Sequence, residues 1–415
     1  MTDTIPVLRF IPFRKHDIIE MCVGRGELAA EAQQSFRDFC RLLQSIYHFD
    51  FHALLEALKD SYAASDPDAT TRPLANATRD ASAEARTVEL LGQLLNKANY
   101  ERLTQADIEQ ALHESSLFKI QLHVDFGDFS EVLLFYRGVA QRAETVRVWW
   151  GLRRHTLRFT NYDRVVLYLR FRPDYEPGKS ALPLTGRGGV LLKLFQNVPK
   201  ADLEMLFPNT RIQMRNIDKA MIGVPAAVSG GIILATKLSA TLLLVGSLLG
   251  FWLGWHNRPV QLDSAALTAL FVGFATLGGY FWKQFSSYKN RKLKFMQMLT
   301  ENLYFKNLDN NAGVFHRLVD EAEEEECKEA ILAYYFLLTS PQPLARAGLD
   351  AAIEQWLRER WQCEIDFEID DALDKLTRLG LIEQTDGRWT AVPLVAALQR
   401  LDERWDNYFR YANPG

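Results

Sequence analysis

The strongest constraint on the fold of this chain is a long central stretch, residues 222–282, that is almost free of charge. Between Ile222 and Trp255 the only charged side chain is Lys237, and between Ala265 and Trp282 there is none. A helix needs about 20 apolar residues to cross a bilayer core. The stretch therefore predicts a transmembrane hairpin with spans at about 237–255 and 262–282. A pair of buried helices in a large soluble domain is the alternative.

Basic residues flank this stretch on both sides. They are Arg211, Arg215 and Lys219 before it, and Lys283, Lys289, Arg291, Lys292 and Lys294 after it. Because basic residues stay on the cytoplasmic side of a membrane, both termini are expected there. The first residues contain acids and no apolar signal segment, so we expect the hairpin itself to direct insertion.

Small residues recur at helical spacing in both predicted spans. They are Gly246, Gly250 and Gly254 in the first, and Ala265, Ala269 and Gly273 in the second. Such residues let helices approach closely in lipid, either within one chain or between the copies of a homo-oligomer. Lys237 is either an anchor that reaches the headgroups or a functional charge. Residues 222–236 are either an interfacial helix or an extension of the first span.

The net charge of −4 conceals four blocks of opposite sign. The formal charge is −8 over residues 1–132, +9 over 133–219, +6 over 220–295 and −11 over 296–415. Partners respond to local fields rather than to the total. The blocks therefore predict that the acidic C-terminal part pairs with the basic part that precedes the central stretch.

Residues 1–117 are expected to be helical, with a flexible loop at 61–87, and residues 118–219 to form an antiparallel, β-rich basic domain. Arginines alternate with apolar side chains in the predicted strands, at Arg147, Arg158, Arg164, Arg170 and Arg172. This alternation predicts a sheet with one apolar and one basic face. The basic face is either a solvated surface or a contact surface for acidic lipid headgroups or an acidic partner.

The hairpin is assigned to residues 220–284, and residues 285–415 are expected to form an acidic winged-helix-like domain. Three predicted helices precede a strand pair that turns at Asp386-Gly387, which is the order of a winged helix. The third helix carries Asp370, Asp371 and Asp374, and these carboxylates would repel phosphates. We therefore expect an unknown protein partner and no nucleic acid. The predicted fold class is an α+β membrane protein.

Motifs for catalysis are missing from the sequence. It contains no GxxxxGK[ST], HExxH or GxSxG pattern and no protein-kinase set. Its four cysteines are far apart, and His48 and His52 have no third ligand to complete a metal site. We expect no cofactor, no bound metal and no enzymatic activity.

Four motifs resemble one known family. They are Tyr136-Arg137-Gly138-Val139, the run from Leu191 to Asn209, the run from Asn302 to Asn311, and Glu329-Ala330-Ile331-Leu332-Ala333-Tyr334-Tyr335. In this order they look like the transmembrane protein 143 family, whose bacterial and organellar members share a domain of unknown function. The resemblance covers roughly residues 130–415. It implies an integral membrane protein and carries over no catalytic or ligand residues. Without a transit peptide, the chain looks like a bacterial member in the plasma membrane, with both termini on the cytoplasmic side.

The second of these motifs has a physical interpretation of its own. Pro199 suits the entry to a short helix, Asp202 and Glu204 fall in its first turn, and Pro208 ends it. This segment is either a docking elbow between sheet and membrane or a buried connector.

The leading functional hypothesis is a non-enzymatic, membrane-anchored interaction or regulatory scaffold in contact with membrane lipids. The alternatives are an oligomeric channel or transport accessory subunit and a cryptic hydrolase or nucleotide-dependent enzyme.

Overall fold

A computed structural model describes residues 7–71, 81–104, 106–108, 121–148, 153–175, 189–213, 239–255 and 263–409. The chain divides into two compact units. Unit 1 joins Met1–Ser115, Asp125–Asn209 and Lys306–Gly415, and unit 2 joins Ser116–Val124 and Thr210–Phe305.

Unit 1 begins with three helices, α1 (Lys15–Gly24), α2 (Ala30–Tyr62) and α3 (Ala81–Lys97). On α2 the large apolar residues recur every three or four positions, at Phe36, Phe39, Leu43 and Ile46, and all four are fully buried. This spacing places them on one face, which packs into the core of the unit.

The main sheet of unit 1 has five antiparallel strands. These are β1 (Glu101–Arg102), β3 (Phe129–Val148), β4 (Arg153–Phe171), β5 (Val190–Pro199) and β7 (Asn307–Asn310), in the spatial order β1-β3-β4-β5-β7. Both faces of β4 are buried. Val166 and Tyr168 belong to the core that the helices form, and Val165 and Leu167 are buried on the opposite face. The short helix predicted after Pro199 is present as a 3₁₀ helix, Lys200–Leu206, which contacts β4 and β5.

The C-terminal part of unit 1 starts with α6 (Ala312–Thr339) and contains α7 (Arg346–Trp361), α8 (Ile369–Arg378) and α9 (Leu394–Asp406). A three-stranded sheet accompanies these helices, with β8 (Leu344–Ala345), β9 (Ile382–Thr385) and β10 (Arg388–Ala391) in the order β8-β10-β9. From α6 to β10 the elements follow the order of a winged helix. Asp386 and Gly387 both have positive φ, as a tight two-residue hairpin requires.

The central element of unit 1 is α6. It packs on α1, α2 and α3 from the N-terminal part and on α7 and α8 from the C-terminal part. The first helix of this winged-helix-like order is therefore also the helix on which the N-terminal bundle is built.

Residues 7–11, here called the N-terminal strap, cross to the C-terminal part. Leu8 forms a parallel bridge with Ile365, and its amide donates to the carbonyl of Glu364 at 3.0 Å. Ile11 is 3% exposed, and its amide donates to the carboxylate of Glu325 at 3.0 Å.

Unit 2 contains the central stretch. A short strand β2 (Gln121–His123) pairs with β6 (Arg211–Gln213), and two helices follow, α4 (Ser239–Trp252) and α5 (Ser264–Lys306). Within the described residues, α4 ends at Trp252 and Gly254 has a φ of +75° in the turn behind it.

The predicted membrane hairpin is wrong. Among the residues whose placement is described, no helix combines the length and the apolar character needed to cross a membrane. In α5 the apolar residues are concentrated in its first half, and the helix continues as a basic segment. This finding corrects three predictions. They are the spans at 237–255 and 262–282, the membrane part of the fold class, and the location as a multi-pass protein of the plasma membrane. What the structure has instead is a mixed α/β fold with an antiparallel sheet.

Candidate functional site

The carboxylates of α6 form the polar centre of unit 1, and each is bound by groups from other parts of the fold. Glu321 contacts Tyr100, Arg137 and Arg164; Glu323 contacts Lys15 and His48; Glu325 contacts Lys328 and the Ile11 amide; Glu326 contacts Lys97 and Lys375; Glu329 contacts Asn99 and Lys375. Burying a carboxylate is costly unless it is paired. The run of acids within α6 is therefore a hub of internal contacts.

Lys375 of α8 is the most deeply buried cation of this hub. Its Nζ lies 2.9 Å from Glu326, 2.7 Å from Glu329 and 2.6 Å from Asp371. Burial acts to lower the pKa of Lys375, but Glu329 and Glu326 outweigh it and hold the pKa well above its ordinary value. Burial also raises the pKa of Glu329 to about 7, although Lys375 and Asn99 bind its carboxylate.

Beside this hub lies a cavity of about 350 Å³, here called the five-helix cavity. Helices α2, α3, α6, α8 and α9 all contribute to its wall. The lining residues are Tyr47, Asp50, Phe51, Leu54, Gln93, Lys97, Glu326, Lys375, Arg378, Leu379 and Arg404. The wall thus combines an apolar part with four cationic side chains and two carboxylates.

The four cations of the cavity differ in how far they are already neutralised. Lys97 binds Glu326 at 3.0 Å, and Lys375 has its three carboxylates. Within the described part of the chain, Arg378 and Arg404 form no hydrogen bond or ion pair of their own. Their guanidinium groups remain available at the cavity.

Two further polar groups of α2 face the same cavity. The hydroxyl of Tyr47 is buried and has no hydrogen-bond partner among the described residues, and the residue is 7% exposed. Burial raises the pKa of Asp50, and Arg404, Lys97 and Arg378 only partly offset this. An unpaired buried hydroxyl costs free energy unless something binds it.

The arginines singled out from the strand pattern lie mostly against carboxylates of the same unit. Arg164 lies 3.6 Å from Glu321, Arg170 lies 2.8 Å from Glu84, and Arg172 lies 3.0 Å from Asp174. Arg158 is exposed on β4. Arg147 belongs to β3, but its side chain lies outside the described residues.

Arg164 and Arg170 share a strand face with Val166 and Tyr168, the face that the helices cover. These two arginines therefore contact carboxylates of the overlying helices.

Asp202 and Glu204 lie in the 3₁₀ helix that follows β5. Asp202 is 1% exposed, and burial together with the neighbouring Asp202 raises the pKa of Glu204 to about 7. This segment belongs to unit 1, where Leu203, Met205 and Leu206 are also buried. Its place is inside that unit, as a connector after β5.

The residues singled out in the central stretch belong to unit 2. Gly250 and Gly273 are buried, Gly246 is exposed, and Gly254 follows α4. Lys237 and residues 222–236 lie outside the described residues.

Reasoning from the sequence missed the five-helix cavity. Its cations, Lys97, Lys375, Arg378 and Arg404, come from three helices that are far apart in the chain. The sequence did contain one local signal for a buried lysine. Lys375 directly precedes the buried Leu376, in a helix whose apolar face includes Ile369 and Leu373. No three histidine, cysteine or acidic side chains in the described part of the chain converge as metal ligands.

Comparison with known proteins finds that part of the chain matches a domain of unknown function. Residues 162–313 match a family model described as "Protein of unknown function (DUF3754)". The match begins within β4, includes all of unit 2 from Thr210 onwards, and ends at the start of α6. No solved structure matches the chain. The match therefore relates residues 162–313 to a domain whose function is unknown.

Proposed function

We propose that this chain is a non-enzymatic interaction module whose winged helix binds a protein. The observation that supports the proposal is the surface of α8. In DNA-binding winged helices the corresponding helix enters the major groove, where cations must replace the counterions of the phosphates. Here Asp371 and Asp374 are exposed, and the single lysine of the helix is buried among carboxylates.

The acidic surface of α8 favours a partner with a basic surface. Asp374 has no ion-pair partner among the described residues, so it is available for a contact. Complementary charges raise the rate of association and exclude wrong partners. The polar residues of the adjacent hub support a non-enzymatic role, because Lys97 and Lys375 are already paired with the carboxylates of Glu326, Glu329 and Asp371.

The test compares wild type with Asp374→Lys in affinity capture from native extracts, with Glu359→Lys on α7 as a control. Glu359 is also exposed, and the charge change is the same. We expect at least one captured protein to be retained by the control and lost with Asp374→Lys.

A parallel measurement addresses nucleic acid. We expect no salt-dependent increase in fluorescence anisotropy when labelled duplex DNA is titrated with the full chain at low salt. Tight DNA binding that weakens as salt rises, or a capture pattern that Asp374→Lys leaves unchanged, would contradict the proposal.

The relation to the transmembrane protein 143 family is part of the same proposal, as an inference from the motifs alone. The proposed relation is one of common descent and does not place the chain in a membrane.

A further inference from the structure

We propose that the five-helix cavity binds a small phosphate ester, with its phosphoryl group held by Arg378 and Arg404 and its organic part on Phe51, Leu54 and Leu379. This site is independent of the protein-binding surface of α8 proposed above. It rests on three features of the cavity, which are its unpaired cations, its unpaired hydroxyl and its size.

The first feature is the pair of free guanidinium groups. Arg378 ends α8 and Arg404 lies in the last turns of α9, so two successive helices, separated by the strands β9 and β10, bring both to one cavity. Neither forms an ion pair within the described residues. A guanidinium presents parallel N–H donors that match the oxygens of a phosphoryl group. Two guanidinium groups suit a doubly charged phosphoryl group better than they suit a singly charged carboxylate.

The second feature is the hydroxyl of Tyr47. Tyr47 lines the cavity, and its hydroxyl is buried and without a partner in the described part of the structure. Buried hydroxyls are nearly always hydrogen-bonded. A phosphoryl oxygen in the cavity would accept the hydrogen bond that Tyr47 does not otherwise donate.

Asp50 is compatible with an anion in this place. It faces Arg404, Lys97 and Arg378, and burial raises the pKa of its carboxyl group. An anion in the cavity would share these three cations with Asp50. Glu326, the other carboxylate of the wall, is already neutralised by Lys97 and Lys375.

The third feature is size. The cavity of about 350 Å³ lies near the lower end of the range of roughly 300–1,000 Å³ that is usual for small-molecule sites. It accommodates one phosphoryl group on a small apolar body. Phe51, Leu54 and Leu379 supply an apolar surface for that body.

The test is isothermal titration calorimetry of the full chain with phenyl phosphate, inorganic phosphate and benzoate. We expect phenyl phosphate to bind most tightly, because it alone has both the phosphoryl group and the apolar body. Tighter binding of inorganic phosphate would overturn the assignment of the apolar wall. Tighter binding of benzoate would overturn the choice of phosphate.

Two variants locate the site. Arg378→Gln combined with Arg404→Gln should weaken phenyl phosphate binding by about tenfold or more, since each charge-assisted hydrogen bond contributes substantially to affinity. Arg41→Gln is the matched control, because Arg41 is an exposed arginine of α2 that does not line the cavity. Equal affinity of the double variant and the control would overturn the proposal, as would the absence of binding by all three probes.

Tyr47→Phe separates a ligand contact from a structural role. Because the hydroxyl has no partner in the described structure, its removal should leave the free energy of unfolding unchanged or slightly higher. The same variant should weaken phenyl phosphate binding by about fivefold. A destabilised protein with unchanged affinity would show that the hydroxyl serves the fold alone.

Discussion

Gly138 is the residue in β3 that depends most on having no side chain. Its φ is +73°, and a Cβ built on it would lie 2.4 Å from a carboxylate oxygen of Asp163 on β4. The ladder pairs Arg137 with Arg164 and Val139 with Tyr162, so the backbone on both sides of Gly138 is fixed.

Gly138→Ala should therefore lower the free energy of unfolding by about 1–3 kcal/mol, through backbone strain and the contact with Asp163. Urea denaturation measures this change. Gly92→Ala is the control, since Gly92 lies within α3 and a Cβ added there would have no neighbour within 4 Å, so this substitution should be neutral or stabilising. Equal effects of the two substitutions would argue against the strain at Gly138.

Glu204 gives the protein a pH dependence of a definite sign. Its pKa is raised to about 7 in the folded protein, against 4.5 for an ordinary glutamate, because of burial and the neighbouring Asp202. The folded state therefore holds a proton that the unfolded state has released between these values. The stabilisation linked to this proton is fully present below about pH 4.5 and is lost as the pH rises through about 7.

Glu204→Gln should remove that dependence. We expect the free energy of unfolding of the variant, relative to wild type, to rise as the pH increases from about 4.5 to about 7.5 and to level off above that. Chemical denaturation over this pH series tests it, with the exposed Glu89→Gln as the control. A difference between variant and wild type that does not change with pH would contradict the assignment.

At the scale of elements, the N-terminal strap completes a buried ion pair. Lys328 and Glu325 lie 2.8 Å apart and are 3% and 2% exposed, and the backbone of Ile11 contacts both of them. Without the strap, each charged group would lose one of its hydrogen bonds and Ile11 would leave the core.

Deletion of residues 1–12 should lower the free energy of unfolding by about 3–5 kcal/mol, the usual loss when a buried charged group loses its partner. Deletion of residues 1–6 is the control, because it leaves Leu8 and Ile11 in place. Thermal unfolding followed by circular dichroism compares the two. Equal midpoints for both deletions would mean that the strap does not stabilise the hub.

The arginine pattern on β4 shows what a strand sequence can and cannot predict. Alternation correctly indicates that Arg164 and Arg170 share one face, since side-chain direction is a local property of a strand. It does not reveal what covers that face. Glu321 and Glu84, which bind these arginines, lie on α6 and α3, and their positions depend on contacts between residues that are far apart in the chain.

The same limit applies to the site. The acidic surface of α8 is readable from Asp370, Asp371 and Asp374, because helical spacing places them near one another. The five-helix cavity is not readable, since Tyr47, Lys97, Arg378 and Arg404 meet only after five helices have packed. Local patterns predict elements and their faces, whereas cavities arise from tertiary packing.

At the scale of the whole molecule, the regional charges correctly predict attraction between the basic sheet and the acidic C-terminal part. They do not predict which of the acidic residues lie at a surface. The basic sheet and the acidic C-terminal part do meet, because Arg137 and Arg164 lie 3.4 and 3.6 Å from Glu321. Yet Glu325, Glu326 and Glu329 are buried, so these acidic residues contribute to the interior and not to a surface. The charge arithmetic counts residues and contains no information on their burial.

The central stretch shows a related limit of sequence patterns. A run without charges predicts two membrane spans, whereas the described part of it forms a 14-residue helix and the first half of a 43-residue helix.

The position of α6 also determines when unit 1 can assemble during translation. The buried face of α2, with Phe36 and Phe39, packs against Tyr334 and Tyr335, nearly three hundred residues later in the chain. At a ribosomal speed of about 5–20 residues per second, that face waits on the order of 15–60 s for its cover. A nascent chain therefore exposes the apolar face of α2 throughout the synthesis of unit 2, and its biogenesis favours holding by a chaperone until α6 has emerged.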